Sequence, residues 1–316
     1  MKYKLPSMKG SKRCPQRAKI PVCCQLWLLH LAAFALSPWL ALAQEPAAPI
    51  QTSGQVLVAQ AAAQMTLHPS LEAKMRQRVG IREQYMVGSG AYLQLRDGED
   101  VRFRLELRLQ VGQRLTSLQH ITDNRYLYIR RDIGDTKSIS RIDLKRVQAA
   151  RANHAAGNSP QNYAAMGVGG LSQLLHGLAD NFMFGDPEPE TISGVNVWRI
   201  SGRWKPAVLA MLLPDQSEAI LAGQAPAMEA LPSQLPDRVT LVVGRDEPLA
   251  LFPYRVEFAR QDAESNQPRS MLIMELFEVR LRPDLDPRLF EVPGGEQDLV
   301  DETDAYLRKH MLVPVE

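Results

Sequence analysis

The chain has 316 residues, and 45% of them are hydrophobic. Its 37 Lys and Arg residues nearly balance 35 Asp and Glu residues, which disfavours a general nucleic-acid-binding surface. This length is enough for one large domain or two small ones.

Residues 1–43 have the pattern of a secretory signal peptide. Seven Lys and Arg residues and no acidic residue accompany the apolar run "LWLLHLAAFALSPWLALA", whose small-x-small end suits cleavage before Gln44. We expect cleavage and a periplasmic or secreted location. An uncleaved membrane anchor is disfavoured because His30, Ser37 and Pro38 interrupt the run, and a span needs about 20 apolar residues.

Cleavage would change both the cysteine content and the charge. All three cysteines, Cys14, Cys23 and Cys24, lie before the cut, so the exported chain must be held by a hydrophobic core instead of disulfides. It would keep 30 basic and 35 acidic residues, a net charge of −5.

The mature N-terminus is rich in Ala, Gln and Pro, and we predict a flexible linker over residues 44–66. Within it, "VLVAQAAAQM" could instead be helical. A helix is predicted over residues 70–79, with Ser70 as its cap. Residues 67–316 are predicted to form a single domain.

A block of strands follows, separated by Gly, Asp and Asn turns. This pattern predicts an antiparallel meander. The predicted strands are 83–95, 101–111, 114–122, 125–133 and 137–144.

The stretch "VRFRLELRLQV", residues 101–111, alternates without a break, so it predicts a long strand with one apolar and one polar face. The polar face carries Arg102, Arg104 and Arg108. These arginines are either a solvated outer face or a dock for a partner.

Two helical inserts are predicted, near residues 145–185 and 205–236. In the first, leucines and a phenylalanine at i, i+3, i+4, i+7 and i+11 from Leu171 form one helical stripe. In the second, Pro206 opens a short apolar helix over 207–213, and residues 214–236 look like a loop.

Further strands are predicted at 195–204, 238–244, 251–260 and 270–281, then a short edge strand with a turn in "DPRLFEVPGG" and a helical or loose tail. Because the helices lie between blocks of strands instead of alternating with them, the fold class is α+β with an antiparallel sheet.

No residue pattern indicates catalysis or a metal. The five histidines after residue 43 are scattered, and we expect them at surface or edge positions. Gly88-Ser89-Gly90 lacks the spacing of a nucleophile elbow and instead favours a bulge or a close backbone approach. We expect no enzyme activity, no metal and no cofactor.

Four stretches together resemble the bacterial outer-membrane lipoprotein carriers, the LolA/LolB-like family. They are "GAYLQL…VRFRLELRLQV", "DNRYLYIRRD…KSISRIDLKRV", "LFPYRVEFAR" and "MELFEVRL…DPRLFEVPGG". Phe290, Pro293 and Gly294 stand close to the family's closing F-x-x-P-x-G segment, with slightly different spacing. The resemblance spans about residues 85–303.

The resemblance implies a curved antiparallel half-barrel sheet covered by helices, with acyl chains in the hollow between them. Relatives with this fold also include lipid-binding envelope proteins and a stress-sensing regulator that binds a transmembrane anti-sigma factor. The fold by itself therefore does not choose a function.

We therefore expect an exported carrier that shelters acyl chains of lipids or lipoproteins in an apolar cavity, with transient membrane contact. The alternative is an envelope protein-interaction or stress-sensor module on the same fold, without lipid transfer. The same apolar faces could also pack together as a closed core.

The predicted cavity combines apolar strand faces with covering helices. Its residues are Val101, Phe103, Leu105, Leu107, Leu109, Tyr254, Val256 and Phe258 on strands, and Leu174, Leu175, Leu178, Leu209 and Leu212 on helices.

Overall fold

A computed structural model describes most of the chain after residue 52. The described ranges are 53–81, 84–111, 114–153, 166–262, 267–292 and 299–309. The predicted signal peptide, and Pro293 and Gly294 of the closing segment, lie outside them.

The described residues contain six α-helices. They are α1 (Gly54–Leu67), α2 (Leu144–Asn153), α3 (Met166–Asn181), α4 (Pro206–Leu212), α5 (Ser217–Leu221) and α6 (Thr303–Lys309). Short 3-10 segments occupy Pro214–Gln216, Met228–Ala230 and Pro287–Phe290.

The same residues contain thirteen strands. They are β1 (Leu71–Ile81), β2 (Gln84–Asp97), β3 (Asp100–Val111), β4 (Arg114–Thr122), β5 (Tyr126–Ile133), β6 (Thr136–Asp143), β7 (Phe182–Phe184), β8 (Glu188–Ile192), β9 (Val195–Trp204), β10 (Arg238–Gly244), β11 (Pro253–Gln261), β12 (Pro268–Leu281) and β13 (Leu299–Asp301).

All thirteen strands belong to one open sheet, ordered β13-β6-β5-β4-β3-β2-β1-β12-β11-β10-β9-β7, with β8 also paired to β9. Two antiparallel meanders, β1–β6 and β9–β12, are joined where β1 pairs with β12. The only parallel pairing in the described sheet is the short contact of β13 with β6. The predicted α+β class, with an antiparallel sheet covered by helices, is confirmed.

The sheet has two different faces. Helices α1, α3 and α4 pack on the inner face, which we define by the main core cluster: Val58, Leu175 and Val208 contribute from the helices, and Leu105 and Val256 from strands. The opposite, outer face carries most of the charged strand residues and a small cluster of Leu95, Ile121, Leu285 and Phe290.

The linker predicted over residues 44–66 is, from Gly54 onward, the helix α1. Ser53 caps it by accepting a hydrogen bond from the Val56 amide, and Val58, Ala61, Ala62 and Met65 are fully buried. Small alanine side chains let this helix approach α3 closely, so an Ala-rich composition here reflects packing and not flexibility.

The helix predicted over residues 70–79 is wrong, because this segment is the strand β1. Leu71, Ala73 and Met75 are buried on the inner face, while Lys74 and Arg76 are exposed. β1 pairs with β2 on one side and β12 on the other. The local hairpin with β2 and the ladder with β12, which lies about 200 residues away, together outweigh a local preference for helix.

The edge strand predicted in "DPRLFEVPGG" is also wrong in its first half, where Pro287–Phe290 form a 3-10 turn. Asp286 accepts a hydrogen bond from the Arg288 amide and initiates the turn. The turn buries Phe290 against the outer face.

Candidate functional site

Helix α1 is fixed to the inner face by a buried polar pair. The Tyr92 hydroxyl donates to Gln94 Oε1 at 2.9 Å, and Gln94 Nε2 donates to the Met65 carbonyl at 2.8 Å. Burial raises the pKa of Tyr92, so its hydroxyl keeps its proton and remains a donor.

Helix α3 reaches the sheet through a glycine kink. Gly170 has a φ of +63°, and a Cβ atom there would lie 2.9 Å from the Phe103 ring. Tyr92 and Phe103 stack with their centroids 6.2 Å apart directly beneath this kink. The close approach therefore requires glycine at this position.

The structure brings twelve of the thirteen predicted cavity residues into one core cluster. Nine are buried members: Phe103, Leu105, Leu107, Leu174, Leu175, Leu178, Leu209, Val256 and Phe258. Leu109, Leu212 and Tyr254 are half-buried and pack against them. Val101 is half-buried and lies beside Phe103 on a pocket wall.

Most of these residues fill space instead of bordering a hollow. Leu175, Leu178 and Val256 are fully buried. Helices α3 and α4 are therefore part of the packed core, and the open space on the inner face lies beside them.

One inner-face pocket, the α2 pocket, has a volume of about 300 Å³. Val101, Phe103 and Thr122 form its sheet wall, and Val147 of α2 and Ser172 of α3 lie on its helical side. Its lining also includes Gln94, Glu99 and Asp100, so polar and apolar groups are mixed there.

A second inner-face pocket, the α6 pocket, has a volume of about 340 Å³. Its sheet wall is apolar, and its border carries Arg131, Glu302 and Lys309. The apolar wall residues are Leu118, Leu127, Ile129 and Ile142. An apolar wall with a charged border suits a molecule that has a hydrocarbon part and a polar head.

Helix α6 covers this pocket, and it is held to the sheet by the β13–β6 ladder just before it and by three ion pairs in the segment 301–304. Arg131, Arg141 and Arg146 pair with Glu302, Asp301 and Asp304 at N–O distances of 3.4, 3.1 and 2.6 Å. All six side chains are at least about a third exposed, so solvent screens these pairs and each stabilises the structure only weakly. Only Thr303 and Leu307 of α6 are buried, and Tyr306 packs half-buried against the core. Helix α6 therefore shares few side chains with the core.

His120 on β4 lines the α6 pocket, and sequence reasoning missed it. Burial, with a further contribution from the nearby Arg131 charge, lowers the pKa of His120 to about 4. Alternation along β4 places His120 on the same face as Leu118, which is the signal that could have identified it.

On the outer face, the three arginines of β3 differ in their surroundings. Arg104 pairs closely with Glu106 and donates to the Leu289 carbonyl, while Arg102 is half-buried. Arg108 is exposed. Part of the predicted arginine face is thus engaged within the protein.

Gly88 and Gly90 provide a close approach between strands, as predicted. A Cβ atom on Gly90 would lie 1.7 Å from the Glu106 carbonyl oxygen of β3. These residues position the backbone of β2 close to that of β3.

Within the described ranges, no three His, Cys, Asp or Glu side chains are grouped to hold a metal. None of the helices described there is both long and apolar enough to cross a membrane.

No family model matches the sequence, and neither does any curated protein. Similar solved structures include a LolA superfamily protein from Nitrosomonas europaea, with a TM-score of 0.30 and 11% identity over 76% of this chain and 98% of that chain. The Mycobacterium tuberculosis lipoprotein LppX has a TM-score of 0.31 and 12% identity over 72% of this chain and 96% of that chain. MucB in complex with MucA(peri) has a TM-score of 0.35 and 9% identity over 76% of this chain and 58% of that chain.

The LolA-like resemblance stated from the sequence is thus found again among solved structures. TM-scores and identities of this size say nothing about function.

Proposed function

We propose that this chain is an exported, non-enzymatic carrier that shelters an acyl chain of a lipid or lipoprotein on the inner face of its sheet. The observation that carries the proposal is the α6 pocket, which is lined on the sheet side by four aliphatic side chains inside a charged border. Its volume of about 340 Å³ lies at the lower end of the range for ligand sites, about 300–1,000 Å³.

The energetics favour such a shelter. Each buried methylene contributes about 0.8 kcal/mol, so an acyl chain of about 15 methylenes faces a cost of about 12 kcal/mol in water. A longer chain than the pocket now holds would enter when α6 moves away from the sheet. Solvent screens the ion pairs that hold this segment, and Leu307 is the one buried apolar side chain described in α6, so this motion exposes little of the core.

The thirteen cavity residues predicted from the sequence have different parts in this proposal. The members on α3 and α4, and the strand residues that pack against them, form the core beside the binding site. Val101 and Phe103 border the α2 pocket. Contact with the acyl chain is assigned to Leu118, Leu127, Ile129 and Ile142.

Displacement of a fluorescent fatty acid tests the proposal, with a charge placed in the pocket by Leu118→Glu. The matched control is Leu115→Glu, which puts the same charge on the same strand but on the outer face, where Leu115 is 62% exposed. We expect binding by the natural chain and by the control, and a loss of at least about tenfold in affinity for L118E. Equal affinities for L118E and L115E would remove the α6 pocket as the site.

A second candidate is a protein-interaction module that uses the outer face of β3–β5. It is favoured by exposed Arg108 beside a pocket of about 270 Å³ that also contains Arg104, Arg130 and Asp132. In-cell cross-linking should then capture one protein partner, and Arg108→Glu should abolish the capture while the exposed control Lys137→Glu should not. Capture that survives R108E would exclude this face as the dock.

A further inference from the structure

The outer face of the sheet contains a pocket of about 520 Å³, larger than either inner-face pocket. It lies between the β8–β9 turn and strands β1, β10, β11 and β12. The turn contributes Ile192, Ser193 and Val195. This pocket is separate from the proposed acyl-chain site.

The strand register places this pocket on the face opposite α1, α3 and α4. Val242 is paired with Arg199 on β9 and with Arg255 on β11, whereas the neighbouring Leu241 faces the inner core. Val242 and Val197 are nevertheless 0% and 1% exposed. The outer face therefore has an apolar floor at this point.

The side walls of the pocket are also largely apolar. Ile192 and Val195 lie on the turn side, and Phe277 lies on β12. Val195 is 38% exposed and lies where the pocket opens to solvent. A volume of about 520 Å³ with such a lining falls well within the range of small-molecule sites.

The charged side chains around the pocket are paired, with one exception. Arg255 is 2.7 Å from Glu257 and 3.7 Å from Glu275, and Glu278 is 2.6 Å from Lys74. These pairs nearly neutralise one another.

Arg76 is the exception. Its guanidinium carbon lies 5.5 Å from the centroid of the Phe277 ring, and its register partner Glu275 pairs instead with Arg255 at 3.7 Å. Arg76 is exposed at the border of the pocket and has its donors available. A guanidinium presents donors that match a carboxylate in two-point geometry.

We propose that this outer pocket binds a single-chain amphiphile with a carboxylate head. The carboxylate pairs with Arg76, and the hydrocarbon tail lies on Ile192, Val195 and Phe277, above the buried Val197 and Val242. This function goes beyond the proposed inner-face shelter, because the two sites share no lining residue.

Isothermal titration of the full chain with dodecanoate, below its micelle concentration, tests the head and tail separately. Dodecyltrimethylammonium carries the same tail with the opposite charge, and acetate carries the head without a tail. We expect binding of dodecanoate, at least about fivefold weaker binding of the cation, and no measurable binding of acetate. Absence of dodecanoate binding, or equal affinity for the two long-chain probes, would overturn the proposal.

Arg76→Gln should weaken dodecanoate binding about fivefold, because it removes one exposed ion pair. The matched control is Arg78→Gln, on the same face of the same strand but outside the pocket lining. Val195→Glu should weaken binding further by placing a negative charge at the mouth, and Val300→Glu, at an exposed site elsewhere, should not. Identical affinities for R76Q and R78Q would refute the assignment.

Crystals soaked with 12-bromododecanoate distinguish the two sites directly. Anomalous signal beside Val197 and Val242 supports the outer site, and signal confined to the α6 pocket contradicts it. In L118E, which changes only the α6 pocket, the signal at the outer site should persist. The outer site can therefore be confirmed even if the inner-face proposal fails.

Discussion

The buried side chain of His120 makes the free energy of unfolding depend on pH. The unfolded histidine titrates near 6.5 and the folded one near 4, so between these values the unfolded chain takes up a proton that the folded chain does not. The free energy of unfolding therefore falls as the pH is lowered from 6.5 to 4, by up to about 3 kcal/mol from this residue. Below pH 4 its contribution stays constant.

His120→Leu should flatten part of this dependence in urea unfolding measured from pH 7 to pH 4. Another part should remain, because burial also lowers the pKa of His68. His176→Leu, at an exposed position, is the control and should retain the full slope. A slope unchanged in H120L would show that His120 is not buried in its neutral form.

Gly90 is a residue-scale test of the packing between β2 and β3. Gly90→Ala should destabilise by about 1–3 kcal/mol, since the new Cβ would collide with the Glu106 carbonyl and force a backbone shift. The urea midpoint measures the loss. Gly185→Ala is the control, because a Cβ there meets only the Ser201 carbonyl, at 3.8 Å. Equal midpoints for the two variants would contradict the close approach.

At the scale of elements, strands with strict alternation could be predicted and segments with ambiguous patterns could not. Residues 101–111 form β3 as expected, because six apolar side chains at period two permit only one buried face. β1 also alternates, but Ser70 and the following charges resemble a helix start, and its partner β12 is about 200 residues away. Local reasoning cannot see such a partner.

Helix α1 provides the sharpest test of element packing. Ala61→Glu would bury a charge without a partner in the main core and should cost about 3–5 kcal/mol. Ala63→Glu places the same charge on the exposed side of the same helix and should change stability by less than about 0.5 kcal/mol. Thermal unfolding compares them, and similar melting temperatures would mean that α1 does not pack on the sheet.

At the scale of the whole molecule, the sequence predicted an antiparallel sheet covered by helices, and it predicted which side chains would gather inside. It did not predict where space would remain. Leu174, Leu175 and Leu178 satisfy the pattern of a cover and that of a packed core equally well. Which of the two they form depends on contacts between parts of the chain that are far apart in sequence, which the local pattern does not contain. The open space lies instead under α6, where the sequence predicted a helical or loose tail.

The measurement that tests the central claim most directly is a native mass spectrum of the chain purified from its own envelope. If the inner face shelters acyl chains, the natural protein and L115E carry lipid-sized adducts, and L118E loses them. A single apo mass for the natural protein under gentle ionisation, together with no displacement of a fluorescent fatty acid, would contradict the carrier function.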